Sequence, residues 1–358
     1  MPMPGSQTTD SIGLAYLLYS WRWAFRLVFL AMIIAGIVSA FTGRRKWIPI
    51  SLMVVTLAIV YLFNFEMTAD HMFLQPQQVV FKSSHDNKVP GNRLVIGVAH
   101  NNEAKAYPIA FMAYHHQVID TVGGKEMIIT YCSVCRTGRV YEPVVNGKSE
   151  KFRLVGMDHF NAMFEDATTS SWWRQANGQA VTGKLKGNSL PEVASIQVTV
   201  DKWFELYPNG KVMQQDESFI ISYDTLARFE QGKSKGSLTR TDSVSWKDKS
   251  WIIGIQSGEI SRAYDWNDLK RNRIINDTLN GKGIFIVLST DEKSFVAFER
   301  PGAIEFTVSN DTLISDSFVY DFSGKNLLDS TSNLRSVPAY QEFWHSWKTF
   351  HPQTGQYK

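Results

Sequence analysis

The sequence predicts a two-helix transmembrane hairpin followed by a mainly-β (α+β) soluble region of two tandem similar units, each ending in a short helix. Three observations support this fold class: two long apolar runs near the N-terminus, short β-patterned runs after them, and internal similarity at a fixed offset. The chain has 358 residues, of which 44% are hydrophobic, and this excludes a disordered protein. Its net charge of only +3 argues against a nucleic-acid partner.

Residues 1–21 form a leading segment, and residues 22–66 contain the two predicted transmembrane helices. One apolar run starts at Trp23 and the other at Trp47, and each is close to the ~20 residues that cross a bilayer core. The loop Arg44-Arg45-Lys46 between them is positive, and the positive-inside rule places such loops in the cytoplasm. We therefore expect a protein of the inner (cytoplasmic) membrane, with the lipid bilayer as a partner and a periplasmic or otherwise extracytoplasmic soluble region.

Two segments of the soluble part are similar to each other in sequence. Leu94-Val95-Ile96-Gly97-Val98 recurs as Trp251-Ile252-Ile253-Gly254-Ile255 at an offset of 157, and other short motifs share that offset. Farther along the offset becomes 144, which relates Trp203 to Trp347. Two ordered offsets indicate a duplication. The predicted division is a first repeat at 75–210, a connector at 211–248 and a second, degenerate repeat at 249–358.

Each predicted unit is mainly β. Alternating and β-branched residues predict strands in the first unit, and Gly123-Gly124 predicts a tight turn between two of them. The predicted strands are Arg93–Ala99, Lys105–Ile109, Glu126–Tyr131, Arg139–Val144 and Lys151–Val155. Terminal helices are predicted at Val200–Tyr207 and Gln341–Phe350, each followed by Pro.

The duplication separates folding residues from candidate chemical residues. Cys132 and Cys135, the only cysteines of the chain, correspond to Ser289 and Glu292 in the second copy. His115 corresponds to Asn272. The first copy is therefore the candidate active unit, and the second is a partner that completes a cleft or only stabilises the first.

Thiol redox chemistry is the favoured function, with Cys132, Cys135 and His115 as the candidate catalytic residues. Arg136 follows the motif directly, and a cation next to a thiol favours the thiolate. Cys135, in the turn beside Arg136, is the expected attacking sulfur, Cys132 the resolving one, and His115 a proton acceptor. The expected pocket residues are Tyr131, Arg136, His159, Trp173 and Gln175. A disulfide that only tightens the turn is the structural alternative.

Metal binding is the second function class. Two thiolates fill half of a tetrahedral Zn or Cu site, so Cys132 and Cys135 would need His115 and His159 as further ligands. No other cofactor is indicated by a motif. A non-catalytic envelope interaction module is the third class. A redox protein or another envelope protein is the expected protein partner.

The chain resembles the bacterial and archaeal domain-of-unknown-function 3179 family. The resemblance rests on His115 to Gly124, on Ile128-Ile129-Thr130-Tyr131-Cys132-Ser133-Val134-Cys135, and on the run from Trp173 to Gly187. His115, Cys132, Cys135, Trp173, Gln175, Gly178 and Gly183 match the family's recurring positions. Arg136 and Ile119 depart from the pattern, where a small residue and Asn are usual. The resemblance implies redox use of the thiols, because some members carry selenocysteine at this motif.

Overall fold

The computed structural model describes residues 6–329 and 331–358. The apolar N-terminal part is helical, and the part that follows it is mainly β, as predicted. The α-helices are α1 (Ile12–Ser20), α2 (Arg22–Ala40), α3 (Trp47–Tyr61), α4 (Ala69–Met72), α5 (Ile109–His115), α6 (Val200–Leu206), α7 (Ile220–Glu230), α8 (Trp266–Asn272) and α9 (Trp344–Phe350). A π-helix, Leu62–Glu66, prolongs α3, and short 3₁₀ turns cover Ser6–Thr8 and Glu217–Phe219.

The strands form several sheets. Those before α7 are β1 (Phe81–Lys82), β2 (Leu94–His100), β3 (Glu103–Pro108), β4 (Gln117–Val122), β5 (Lys125–Cys132), β6 (Thr137–Tyr141), β7 (Val144–Val145), β8 (Lys148–Ser149), β9 (Phe152–Asp158), β10 (Asn161–Asp166), β11 (Trp172–Arg174), β12 (Ala180–Thr182), β13 (Ile196–Thr199) and β14 (Lys211–Met213). Those after it are β15 (Trp251–Ser257), β16 (Ile260–Asp265), β17 (Ile274–Leu279), β18 (Lys282–Leu288), β19 (Phe295–Glu299), β20 (Thr307–Ser309), β21 (Thr312–Ile314), β22 (Val319–Tyr320), β23 (Tyr340–Phe343) and β24 (Gly355–Gln356).

Two N-terminal helices are long and apolar enough to cross a membrane. They cover Arg22–Ala40 and Trp47–Glu66, have mean hydropathies of 2.1 and 2.2, and bury none of their apolar windows against the rest of the chain. The Arg26 guanidinium donates a hydrogen bond to Asn64, so the two helices are joined near the ends that face the soluble part.

The strand pairings before α7 recur after it. β2 pairs antiparallel with β3 and with β13, as β15 does with β16 and with β23. β4, β5 and β6 form an antiparallel meander, as do β17, β18 and β19. β14 runs parallel to β3, as β24 does to β16. The registers agree at the same two offsets that the sequence shows.

We call residues 75–213 the first half and residues 249–358 the second half. In each half, a tryptophan of the closing helix packs on a glycine of the sheet. A Cβ on Gly97 would lie 2.3 Å from the Trp203 ring, and one on Gly254 would lie 2.3 Å from the Trp347 ring. Both tryptophans are buried. Only a glycine lets the closing helix of each half approach its sheet so closely.

The two halves join through these closing elements. β13 bridges β2 and β19, so one sheet runs from the first half into the second. In the reciprocal place, β23 packs beside β6 of the first half. Gln197 Nε2 donates to Gln341 Oε1 at 2.9 Å, and these two residues are related by the offset of 144. The contacts β13–β19 and β23–β6 therefore lie on either side of the Gln197–Gln341 hydrogen bond.

Four helices depart from the prediction. The prediction omitted the seven-residue α8, and it omitted α5 because Ile109–His115 is apolar almost throughout and so lacks the helical period that reveals a helix. The terminal helix begins at Trp344 rather than at Gln341, since Tyr340–Phe343 pairs with β15 as a strand. The connector carries α7, which packs against α5.

Candidate functional site

The two cysteines flank the turn between β5 and β6. Cys132 ends β5 and pairs with Thr137, and four residues close the turn, with Arg136 in the left-handed region at φ +57°. Both thiols are free, and the cysteines are only 1% and 0% exposed. Cys135, the expected attacking sulfur, therefore has no solvent access, because β23 and α9 of the second half cover the turn.

Both thiols point at one carbonyl group. Cys132 Sγ and Cys135 Sγ donate to the Phe160 carbonyl oxygen at 3.4 and 3.3 Å, and the Cys135 N–H donates to Cys132 Sγ at 3.4 Å. Phe160 follows His159 in the two-residue turn between β9 and β10, and both have positive φ, +50° and +64°. Such turns normally take Asn-Gly, so a His-Phe pair there stores backbone strain beside the thiols.

The environment separates the acidities of the two thiols. Burial raises the pKa of Cys132, but hydrogen bonds from the Cys135 thiol and N–H and from the Ala162 and Val134 N–H groups outweigh it and lower that pKa. Burial, the neighbouring Cys132 and the Glu342 carboxylate raise the pKa of Cys135 well above its usual value. Cys132 is therefore the better thiolate.

Gln175 holds the thiol turn from the side. Its Nε2 donates to Thr130 Oγ1 and to the Thr137 carbonyl, both at 3.1 Å. Its Oε1 accepts from Asn161 Nδ2 at 3.0 Å, and the same Nδ2 is 3.5 Å from Cys135 Sγ. Gln175 thus ties β5, β6 and β10 together, and both its N–H donors are used within the fold.

Trp173 and Tyr131 are structural neighbours of the thiols. Trp173 is 2% exposed, shares an apolar cluster with both cysteines, and donates from Nε1 to Asp166 Oδ2 at 2.9 Å. Tyr131 immediately precedes Cys132, and burial raises its pKa. These contacts make Trp173 a wall behind the thiols.

The predicted cationic neighbour turns away from the sulfurs. The Arg136 guanidinium donates to the carbonyls of Phe229 and Glu230 at 3.0 and 2.7 Å and stacks on Trp251 at 3.9 Å. The left-handed backbone at Arg136 directs its side chain towards these groups. Its assignment as a thiolate-stabilising cation is corrected accordingly.

The two predicted histidines make other contacts. His115 Nδ1 contacts the Leu74 carbonyl and its Nε2 lies 2.7 Å from the Tyr223 hydroxyl, in the interface of α5 and α7. Burial lowers its pKa. His159 Nδ1 lies 2.8 Å from Asp158, and its Nε2 lies 3.5 Å from Asp10. Because its ring nitrogens contact Leu74 and Tyr223, the proton-acceptor role of His115 towards the thiols stays a prediction.

A metal site receives no support from side-chain grouping. Within residues 6–329 and 331–358, no three His, Cys, Asp or Glu side chains are grouped so that they could hold a metal ion. The thiol pair alone supplies half of the ligands of a tetrahedral site.

Sequence reasoning missed the residues that the second half brings to the turn. The Phe343 N–H donates to the Cys135 carbonyl at 2.9 Å, and Lys249 Nζ donates to the Val134 carbonyl at 3.0 Å. His345 and Ser346 follow on α9. These four residues lie far from the cysteines in sequence. Only the contact between the two halves brings them to the thiol turn.

A buried ion pair joins the halves next to this site. Arg139 Nη2 contacts Glu342 Oε2 at 3.0 Å, with side chains 3% and 1% exposed. Burial raises the pKa of Glu342. The Arg139 guanidinium also lies 3.4 Å from the Tyr340 ring centroid.

Comparison with known proteins gives one family match. The DUF3179 family, described as a protein of unknown function, matches residues 76–354. No curated protein matches. Among solved structures, the terminal oxygenase of carbazole 1,9a-dioxygenase from Nocardioides aromaticivorans is 10% identical, over 73% of this chain and 78% of that one, with a TM-score of 0.21. A likeness of that degree carries no functional argument.

Proposed function

The chain belongs to the DUF3179 family, and we propose that this member is a membrane-anchored thiol-redox protein whose active pair is Cys132 and Cys135. The observation that carries the proposal is the shared hydrogen bonding of the two sulfurs: both donate to the Phe160 carbonyl, while the Cys135 N–H donates to Cys132 Sγ. This arrangement brings the sulfurs together and makes them chemically unequal.

Cys132 takes the nucleophilic role in this proposal, and Cys135 the resolving one. Once Cys132 is ionised, its sulfur no longer donates to Phe160 and instead accepts from the Cys135 thiol and N–H, whereas burial and the negative neighbours of Cys135 keep that thiol protonated until the disulfide forms. Overall, two thiols lose two protons and two electrons to an oxidant and become one disulfide. Because both sulfurs are buried, the strained His159–Phe160 turn is the segment we propose to open.

We also propose that the soluble region is two tandem copies, of which only the first kept the thiols. The matching strand registers, the Gly97–Trp203 and Gly254–Trp347 contacts and the Gln197–Gln341 contact support this. An experimental structure with a different strand order after α7 would contradict it.

The membrane anchor is the third part of the proposal. α2 and the α3 segment expose their apolar side chains, and the loop Arg44-Arg45-Lys46 lies between them. The preceding helix α1 packs on the soluble part through Tyr16 and Tyr19, whose rings contact Trp172. Leu17 on the same helix is 51% exposed. These features support an interfacial α1 that holds the soluble part against the extracytoplasmic face of the bilayer.

Thiol alkylation and redox titration of the full chain in detergent micelles test the redox proposal. In Cys135→Ser, we expect Cys132 to be alkylated with an apparent pKa below the usual ~8.5 of a free thiol. In Cys132→Ser, we expect Cys135 to titrate above it. The wild-type pair should equilibrate with thiol buffers at a potential above about −300 mV.

Two outcomes would contradict the redox assignment of Cys132 and Cys135. A potential well below about −300 mV would make the pair a structural disulfide. Equal titration of the two single thiols would remove the inequality on which the proposed roles depend. Stoichiometric Zn or Cu in freshly purified protein would instead promote the metal-binding class.

A further inference from the structure

The second half places three polar groups beside the thiol turn, and one of them lacks a partner. His345 Nε2 is a buried atom without a hydrogen bond among the described residues, whereas the Ser346 hydroxyl is 0% exposed and faces the Cys135 thiol and the Glu342 carboxylate. Lys249 Nζ donates to the Val134 carbonyl inside the turn and lies 4.8 Å from the Phe343 ring centroid. Buried polar groups without partners are uncommon and call for an explanation.

The tautomer of His345 follows from its other contact. Its Nδ1 lies 2.9 Å from the Asp248 carbonyl oxygen, which can only accept, so Nδ1 carries the proton. Burial and the positive Lys249 lower the pKa of His345 to about 4, and the ring is neutral at pH 7. Nε2 therefore presents a bare acceptor lone pair, and it needs a donor that the fold does not supply.

The neighbours of His345 lie at the thiol turn. Its ring centroid is 6.3 Å from the centroid of the Phe160 ring, and the backbone carbonyl of Phe160 accepts from both sulfurs. Ser346, the next residue, lies beside Cys135 and lowers its pKa slightly against the larger effect of burial. Lys249 also lies within electrostatic range of both sulfurs. One acceptor, one hydroxyl and one ammonium thus surround the pair.

We propose that this cluster binds a small hydroperoxide, with hydrogen peroxide as the simplest member, as the oxidant of the thiol pair. This inference rests on the proposed redox function and names its substrate class. A hydroperoxide has the O–H donor that His345 Nε2 lacks and oxygen lone pairs for Ser346 and Lys249. Its size also suits thiols that are only 1% and 0% exposed, which a protein disulfide cannot reach without displacing the Phe160 turn.

The chemistry balances with a dithiol as the final reductant. The Cys132 thiolate attacks the terminal peroxide oxygen, the O–O bond breaks, and Cys132 becomes a sulfenic acid while the alkoxide or hydroxide leaves and takes a proton. Cys135 then attacks the sulfenic sulfur, the disulfide forms and water leaves. A dithiol such as dithiothreitol reduces the disulfide and is itself oxidised. One peroxide and one dithiol are consumed per cycle.

Oxidation rates of the reduced full chain in detergent micelles test this. Disulfide formation is followed by differential alkylation and mass spectrometry, with hydrogen peroxide, oxidised glutathione or diamide as oxidant, against a free peptide of residues 130–137. We expect peroxide to oxidise the chain about 100-fold faster than the peptide. We expect oxidised glutathione to react more slowly with the chain than with the peptide.

Variants separate the cluster from the fold. His345→Ala and Ser346→Ala should each lower the peroxide rate about tenfold or more, with little effect on the diamide rate. His351→Gln is the matched control, since His351 lies at the other end of α9 and should keep the wild-type peroxide rate. Near-ultraviolet circular dichroism checks the fold of each variant.

The outcomes distinguish the two proposals. Peroxide could oxidise the chain no faster than the peptide while diamide and thiol buffers still oxidise and reduce the cysteine pair. That result would contradict the substrate assignment and leave the proposed redox function intact. A fast peroxide reaction that survives both alanine variants also overturns the assignment to this cluster. If no oxidant closes the disulfide, both proposals fall.

Discussion

At the scale of single residues, burial sets the protonation of the polar groups near the thiols. His116 ends α5 with φ +62°, is 7% exposed, and hydrogen-bonds through Nδ1 to the Tyr131 carbonyl, one residue before Cys132. Burial, opposed by that hydrogen bond and assisted by His115, lowers the pKa of His116 from 6.5 to about 4. At the β5 end of the thiol turn, the Tyr131 carbonyl is therefore hydrogen-bonded to a neutral imidazole.

This residue predicts a loss of stability in acid. Between pH 6.5 and 4 the unfolded chain binds a proton at His116 that the folded chain does not, so stability is full above 6.5 and falls as the pH falls to 4. The loss from this residue is about 3 kcal/mol. His116→Asn keeps a donor and a side chain suited to positive φ, so it should flatten the dependence of urea unfolding on pH.

His85→Asn is the control for that measurement, because the His85 side chain is 93% exposed. The unfolding free energy of His85→Asn should depend on pH in the same way as that of the wild type. If His116→Asn keeps the full wild-type slope between pH 4 and 6.5, the acid sensitivity has another source.

At the scale of elements, the sequence predicts best what has a regular local period. The apolar runs became α2 and α3, and the predicted strand Arg93–Ala99 became β2, Leu94–His100, shifted by one residue at each end. α5 was invisible because its residues are nearly all apolar. The approach of α9 to the thiols was invisible for a different reason: His345 and Cys135 are far apart in sequence, and no local pattern encodes a contact between two halves.

The anchor helices carry a prediction about sidedness. In a Cys132→Ser/Cys135→Ser background, Lys148→Cys places one thiol at the start of the exposed strand β8, and Gly43→Cys places one in the loop between α2 and α3. A membrane-impermeant maleimide should label Lys148→Cys in intact spheroplasts. It should label Gly43→Cys only after the membrane is permeabilised, because the positive-inside rule puts that loop in the cytoplasm. The opposite labelling pattern would reverse the topology.

At the scale of the whole molecule, the two halves share strand pairings but differ in the side chains at their two mutual contacts. Two turns of the second half contact the start of the first half's closing helix through polar groups. Ser294 Oγ, after β18, accepts from the Thr199 N–H at 2.8 Å, and Asp311, between β20 and β21, lies 2.9 Å from Lys202 Nζ. In the reciprocal place, the second half's closing elements cover the two thiols. One interface thus holds an ion-pair network and the other holds the candidate redox pair.

The Arg139–Glu342 pair gives the last prediction, since it is buried where the halves meet and where Cys135 lies. Glu342→Gln leaves the buried Arg139 charge with only the more exposed Glu192 carboxylate, 3.7 Å away, so we expect a loss of about 3 kcal/mol in the free energy of unfolding. The same change removes a negative charge that raises the pKa of Cys135, so that thiol should alkylate at lower pH. Urea unfolding and the pH dependence of alkylation in Cys132→Ser measure the two effects.

Glu299→Gln is the matched control, because Glu299 is 29% exposed and pairs with the more exposed Lys282 and Arg335. Removing such a surface pair should cost at most about 1 kcal/mol and leave Cys135 alkylation as it is. The double variant Arg139→Gln/Glu342→Gln closes a thermodynamic cycle. If its cost equals the sum of the two single losses, the two side chains are not energetically coupled. Coupling, together with alkylation of Cys135 at lower pH in Glu342→Gln, would show that Glu342 both joins the halves and raises the pKa of that thiol.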